Sequence, residues 1–311
     1  MMTLSHHLED YLKLRRQLGF KLHVEGILLR GFVHFAQQQG AMFISTKLAL
    51  RWATLSPDVT QGYRARRLGI VRGFSEYVST LEPRTEVPSQ KLLPSRVRRR
   101  EPHHYTDEQV VRLIGAAQQI APSHKIKGLT FGTLLGLLAV TGMRVREALS
   151  LDRQDIDFKR ALLTIRRAKG NKSRLVPLHS STVRALQRYA AIRDEICPQP
   201  TGPSFFVWEG GGRVAYETAE NWFVRVACQT GLRQSVHGRG GPRMHDLRHY
   251  FAICTLLNWY HCDADVDARL PQLSTFLGHS HVSDTYWYLS AVPELLELAT
   301  RRWERAEKGG K

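Results

Sequence analysis

The sequence predicts a mainly α-helical protein of two domains, the second of which carries a small β-sheet. Three observations support this. Apolar residues recur at helical spacing along most of the 311 residues. Two segments alternate instead, Ala161 to Arg166 and Arg174 to Pro177, around a turn reading Ala168-Lys169-Gly170-Asn171-Lys172-Ser173. A break rich in proline and arginine separates the first helices from the rest. The predicted boundaries are a helical domain over 1–89, a basic linker over 90–103, and a mixed α/β domain over 104–311 that ends in a helix.

In the first domain, Leu8, Tyr11, Leu12, Leu14 and Leu18 form one apolar stripe. Ile27, Leu28, Phe32 and Phe35 form a second, stopped by Gly40. Thr46 is the expected cap of a third helix with Leu48, Leu50 and Trp52. A fourth runs from about Thr60 through Tyr63, Leu68, Val71, Phe74, Tyr77 and Val78. Its expected opposite face carries Arg64, Arg66, Arg67 and Arg72. A charged helix face is usually only solvated. Here the charge is nearly all of one sign, which suits a groove of phosphates.

Pro83, Pro88 and Pro94 then punctuate a stretch ending Arg96-Val97-Arg98-Arg99-Arg100-Glu101-Pro102. Proline stiffens it and blocks regular structure. Arg98 and Arg99 in its basic cluster are expected at a phosphate backbone. Thr106, followed by Asp107 and Glu108, starts the next helix. Leu129 to Val140 reads as a buried helix, and Gly142 precedes another holding Arg144, Glu147 and Leu149. The chain returns to helix after Leu178, has a short extended piece at Ser204 to Trp208, and is helical again from His245.

The 45 Lys and Arg outnumber the 28 Asp and Glu, for a net charge of +17. Such an excess favours a polyanionic partner. Nucleic acid suits it better than a membrane surface, because no basic cluster adjoins a long apolar run. With 42% hydrophobic residues the chain can bury a core and is not of the disordered class. The four cysteines show no CxxC spacing and read as reduced thiols of a cytosolic protein. His261, Cys262 and Cys254 fit no common zinc-ligand spacing. The N-terminus lacks the apolar core of a signal peptide, and Leu134 to Val140 is too short to span a bilayer. A cytoplasmic location is expected.

The chemistry-bearing residues fall into four groups. His245, Arg248 and His249 share one helix face. Arginine forks onto two phosphate oxygens, and histidine donates to the same group or handles a proton. Arg144 follows Thr141-Gly142 at a helix start, where backbone amides also favour an anion. Glu147, three residues on, can pair with a basic neighbour, though such a pair on a surface counts for little. Lys169 sits at a hairpin tip, with Lys172 and Arg174 competing for its role. Tyr286 and Tyr288 are equally good nucleophiles by chemistry alone.

Together these segments resemble the tyrosine recombinase (phage integrase) family. That family is marked by a TG-x-R-x-x-E box, a GKGNK-x-R hairpin, an H-x-x-R box, an LGH box, and a tyrosine nine residues after that last histidine. The chain offers Thr141-Gly142-Met143-Arg144-Val145-Arg146-Glu147, then Lys169-Gly170-Asn171-Lys172-Ser173-Arg174. It continues with His245-Asp246-Leu247-Arg248, Leu277-Gly278-His279 and Tyr288. The spacing from His279 selects Tyr288 over Tyr286, and the family lysine corresponds to Lys169. Ala168 stands where the family often has glycine. The motifs cover about Thr106 to Tyr288, and the earlier helices match in pattern only.

The resemblance implies a helical, SAM-like core-binding domain followed by a mixed α/β catalytic domain. It implies a site-specific recombinase or integrase that cleaves and rejoins DNA through a 3′-phosphotyrosyl intermediate, in integration, excision or resolution of a mobile element. Tyr288 would attack. Arg144, Arg248 and His279 would stabilise the non-bridging oxygens. His245 would assist proton transfer, Lys169 would protonate the 5′-oxygen, and Glu147 would buttress the site. Arg64, Arg66, Arg67, Arg98, Arg99, Lys172 and Arg174 are the expected DNA contacts. No metal or cofactor is implied. The expected partners are double-stranded DNA with inverted-repeat core sites and further copies of the chain, a dimer per site and a tetramer in synapsis. The segment from Pro293 would form a helix that docks on its own domain or, as often in the family, on a neighbouring protomer. Two alternatives stand beside this reading: strand nicking and resealing as in a type IB topoisomerase, and a DNA-binding regulator without catalysis.

Overall fold

The structure, a computed structural model, describes residues 3–94, 101–121, 125–166, 173–236, 240–289 and 292–309. It divides into two compact units, Met1–Arg100 and Glu101–Lys311.

The first unit holds four helices among the described residues: α1 (Leu4–Gln17), α2 (His23–Gln38), α3 (Thr46–Thr54) and α4 (Gln61–Ser79). Leu8, Leu12, Leu29, Phe32, Trp52, Leu68, Val71 and Phe74 meet in its core. Hydroxyl caps start three of the helices. Thr3, Ser45 and Thr60 accept from the amides of His6, Leu48 and Tyr63. Each such cap contributes about 1 kcal/mol. The cap of α3 is therefore Ser45, not Thr46, which is the first helical residue.

Four residues expected in stripes face outward: Leu14, Leu18, Ile27 and Tyr63 are 44%, 63%, 69% and 36% exposed. The face α1 buries is Leu4-Leu8-Leu12, at spacing four, and Leu14 lies off it. Helix α2 buries Leu29, Phe32, Val33 and Ala36, opposite Ile27.

The arginine face of α4 also needs correction. Arg67 is buried, with its guanidinium carbon 3.9 Å from the Trp52 ring centroid. Burial lowers its pKa. A desolvated cation over indole is worth up to about 2 kcal/mol, so Arg67 packs the α3–α4 interface. Arg64 bonds the carbonyls of Ser56 and Pro57, while Arg66 and Arg72 form exposed pairs with Glu25 and Glu76. Arg98 and Arg99 lie outside the described residues.

The second unit begins with α5 (Asp107–Gln118), where Thr106 and Gln109 form a reciprocal capping box. Helix α6 (Lys125–Thr141) is apolar all round and packs against α5, α8 (Ser180–Ile196) and α10 (Asp246–His261). After the short α7 (Val145–Leu149) come β1 (Ile156–Asp157), β2 (Leu162–Ile165) and β3 (Arg174–Pro177). They form an antiparallel sheet of order β1-β2-β3, with Ile165 opposite Arg174. The segment expected as a hairpin turn between β2 and β3, with Lys169 and Lys172, lies outside the described residues.

Two elements were absent from the sequence expectation. Strand β1 is only two residues long, too short to show alternation. Helix α9 (Tyr216–Gln229) buries Ala219, Trp222, Phe223, Val226 and Ala227, a helical periodicity the sequence does carry. Ser204 to Trp208 makes isolated bridges to Asp152 and Arg213 in place of a strand.

The chain ends with α11 (Val266–Leu277), α12 (Ser283–Tyr286) and α13 (Pro293–Gly309). In the single chain α13 docks onto its own unit. Leu295 is fully buried in the cluster of α10 and α11 residues, and Arg302 donates to the Ala264 carbonyl. Cys197, Cys228, Cys254 and Cys262 are free thiols, the last exposed. No described helix is long and apolar enough to cross a membrane.

Candidate active site

Two glycines with left-handed backbone build the floor of the site. Gly142 has φ +58° and Gly278 has φ +69°. Each ends a helix and turns its carbonyl towards an arginine. The Gly142 carbonyl accepts from Arg248 Nη1 at 2.9 Å, and the Gly278 carbonyl from Arg144 Nη2 at 2.9 Å. A side chain at either position meets both strain and atoms. A Cβ on Gly142 would lie 2.5 Å from the Phe251 ring, and one on Gly278 2.7 Å from Arg174 Nη1. The local folding explains how the Leu277-Gly278-His279 motif delivers its histidine. Helix α11 stops in a glycine C-cap, with the His279 amide bonded back to the Ser274 carbonyl.

Arg144 is the N-cap of α7. Its own amide donates to Glu147 Oε2 at 2.9 Å and its Nη1 to Glu147 Oε1 at 2.8 Å. Arg174 grips the same carboxylate from β3 through Nη1 at 3.0 Å and Nη2 at 2.8 Å, and its Nε donates to the Phe276 carbonyl. The Glu147 side chain is only 7% exposed. Burial alone would raise its pKa, but the hydrogen bonds and charges of Arg174 and Arg144 outweigh it and hold the carboxyl below its usual range. Glu147 is therefore no surface pair. Arg174, expected at DNA, spends its whole guanidinium inside the protein, locking β3 to α7 and to the end of α11.

His245, Arg248 and His249 start α10 on one face, as their spacing predicts. Arg248 is 3% exposed, and among the described residues its buried Nη2 has no hydrogen-bond partner. Burial lowers its pKa to about 10, with the Tyr288 hydroxyl beside it opposing the shift. The guanidinium remains charged at neutral pH. His245 is solvent-exposed by area, yet dense protein around it and the Arg248 charge lower its pKa.

Tyr288 is buried, whereas Tyr286 is 50% exposed. The Tyr288 ring packs edge-on to His249 at 5.3 Å and stacks on His279 at 6.0 Å. His279 Nδ1 lies 2.7 Å from Thr285 Oγ1. Desolvation first, then the Arg248 charge, pushes the His279 pKa down to about 4. His249 is pushed equally low, by burial and by His245. Both rings are neutral at pH 7.

The structure thus brings together Arg144, Glu147, Arg248, His279 and Tyr288, with His245 at the rim. It adds Arg174, His249 and Thr285. Lys169 lies outside the described residues. Among the described residues, no group of three His, Cys, Asp or Glu side chains is placed to hold a metal. The arrangement is a pair of cations and a neutral histidine beside a tyrosine hydroxyl. It can bind an anion, because Glu147 is already engaged by two arginines.

Known proteins place this geometry. The model of the phage integrase family matches residues 104–294. The Sinorhizobium fredii protein named as integrase/recombinase y4rB is 40% identical over 309 residues, covering 98% of each chain. Tyrosine recombinase XerD of Rhizobium meliloti is 32% identical over 251 residues, 78% of this chain and 75% of that one. Among solved structures, the XerH site-specific recombinase bound to palindromic difH substrate in a post-cleavage complex superposes with TM-score 0.67. It is 20% identical, covering 98% of this chain and 86% of that one, which shows a shared fold. The chain belongs to the phage integrase family and is a tyrosine-type site-specific recombinase.

Proposed function

We propose that the chain cleaves and rejoins DNA strands at paired sites of a mobile element, with Tyr288 as the nucleophile. The observation that carries this is the buried, unpaired Nη2 of Arg248 beside the Tyr288 hydroxyl. A buried guanidinium donor without an acceptor is costly unless an anion completes it. A phosphodiester does so, and its phosphorus then lies near the hydroxyl.

The step follows from the residues. The Tyr288 oxygen attacks phosphorus, forms a 3′-phosphotyrosyl bond, and releases the 5′-oxygen. Arg248 and Arg144 hold the non-bridging oxygens, whose charge grows in the transition state, and His279 donates a third hydrogen bond. His245 at the rim assists the tyrosine proton. Lys169 returns a proton to the 5′-oxygen. Glu147 orients Arg144. The phosphotyrosyl bond conserves the phosphodiester energy, so rejoining needs no further energy source.

The XerH match was solved on palindromic DNA. By analogy, two copies of this chain bind an inverted repeat, and two such pairs form a tetramer during exchange. The net charge of +17 supports binding to DNA, with Arg64 and Arg66 of the first unit and the basic segment around Arg98 and Arg99 among the contacts. The protein acts in the cytoplasm, where bacterial DNA lies.

A nicked suicide substrate tests the reading. The wild-type chain should accumulate a covalent protein–DNA adduct, Tyr286→Phe should match it, and Tyr288→Phe should form none while binding DNA as before. An adduct that survives Tyr288→Phe rejects the assignment.

A further inference from the structure

Thr285 lies between His279 and Tyr288 in sequence and touches both. Its side chain is fully buried. Its Oγ1 is 2.7 Å from His279 Nδ1. Its carbonyl accepts the Tyr288 amide at 3.0 Å, and its own amide donates to the Val282 carbonyl at 2.8 Å. The side chain therefore reads the histidine, and the main chain fixes the start of the tyrosine.

A neutral imidazole carries one N–H, and its other nitrogen is an acceptor. The placement of that proton decides what His279 does. With the proton on Nδ1, the Nε2 lone pair would oppose a phosphate oxygen. With the proton on Nε2, the ring donates to it. Among the described residues no carbonyl accepts from the Thr285 hydroxyl, and His279 Nδ1 is its partner. The hydroxyl hydrogen is thus available to Nδ1, which leaves the ring proton on Nε2. Burial and the neighbouring arginines hold the ring neutral, so the choice of tautomer is real at pH 7.

We propose that Thr285 is a positioning residue that holds His279 as its Nε2–H tautomer, so that the ring donates to the scissile phosphate, and ties that ring to the backbone of Tyr288. The proposal rests on the reading of His279 and Tyr288 as the reacting pair. It adds a residue that touches neither phosphate nor leaving group and acts through the proton position on another side chain.

Two readouts on the full chain test it. In long-range proton–nitrogen spectra of histidine-labelled protein, His279→Gln identifies the His279 signals. Wild type and Thr285→Ser should show a protonated Nε2 and an unprotonated Nδ1. Thr285→Val, nearly the same size, should lose that pattern, and Thr285→Ala provides a second hydroxyl-free variant should valine disturb the fold. In single-turnover cleavage of the suicide substrate, Thr285→Val should be slower by at least about tenfold, the worth of one hydrogen bond in the transition state. Thr285→Ser should restore the rate, and DNA affinity should not change in either. A wild-type ring protonated on Nδ1, or hydroxyl-free variants that keep the Nε2–H form, overturns the proposal. So does wild-type cleavage by Thr285→Val. A wild-type chain that forms no adduct rejects the catalytic reading instead, and the spectra still decide the Thr285–His279 contact.

Discussion

Arg193 on α8 and Arg248 on α10 are both buried in the second unit, and their surroundings treat them in opposite ways. Arg193, 1% exposed, donates Nη1 to the Phe205 carbonyl at 2.6 Å and Nε and Nη2 to Asp194. Arg153 binds the same carboxylate through two more bonds. Arg248 has a carbonyl for Nη1, a tyrosine beside it, and no acceptor for Nη2. Among the described residues no carboxylate pairs with it directly, because the nearby Glu147 is shared by Arg144 and Arg174. Removing a satisfied buried cation is costly, because its partners are left buried and unpaired. An unsatisfied one has been left for a ligand, at a cost in stability that the ligand offsets. In the first unit the buried Arg67 rests on Trp52, although its Nε too has no hydrogen-bond partner among the described residues, and the remaining arginines of α4 bond carbonyls or exposed acids.

Breaking the comparison at Arg248 should have the largest effect. Arg248→Met should lower single-turnover cleavage by roughly a hundredfold to a thousandfold, the usual loss when one transition-state donor is removed. It should leave the melting temperature unchanged or raised, because a buried unpaired charge is exchanged for apolar volume. Arg193→Met should do the reverse. It strips the Phe205 carbonyl and half of the Asp194 network, which should cost about 2–4 kcal/mol in denaturant unfolding while the cleavage rate per folded molecule holds. If both variants lose stability and both keep activity, the distinction between the two arginines fails.

A smaller effect sharpens the contrast by pH. His279 and His249 are pushed from 6.5 to about 4 in the folded chain. Depressed histidines make the unfolded state bind more protons between these values. Stability is therefore full above pH 6.5 and declines as pH falls towards 4. Across this window the loss should be on the order of 1–3 kcal/mol, read by thermal unfolding. His279→Gln should flatten part of the slope. A melting temperature constant across the window would contradict the burial of these rings.

Much of the site was legible in the sequence because its chemistry sits in short local motifs. His245, Arg248 and His249 share a face by spacing alone, and the family's nine-residue spacing from His279 points to Tyr288 over Tyr286. Residues whose role is set by distant partners were not legible. Arg67 belongs to a run of positive charge on a helix, and only the fold reveals Trp52 beneath it. Arg174 alternates out of a strand like any exposed base, yet Glu147 and the Phe276 carbonyl lie where its fork ends. Thr285 gave no signal, since its value lies in meeting His279 across the turn after α11. Of the elements, α9 was readable from its own periodicity, while β1 exists only because β2 pairs with it.

The central claim is that the buried arginine–tyrosine site forms the covalent bond to DNA. Mass spectrometry of the trapped adduct, after protease and nuclease digestion, tests it most directly. With trypsin as the protease the account predicts one modified peptide, spanning Leu270 to Arg301 and carrying a nucleotide through its 3′-phosphate on Tyr288. A nucleotide on Tyr286, a 5′-phosphate linkage, or no modified peptide in a reaction that cuts the DNA would contradict it.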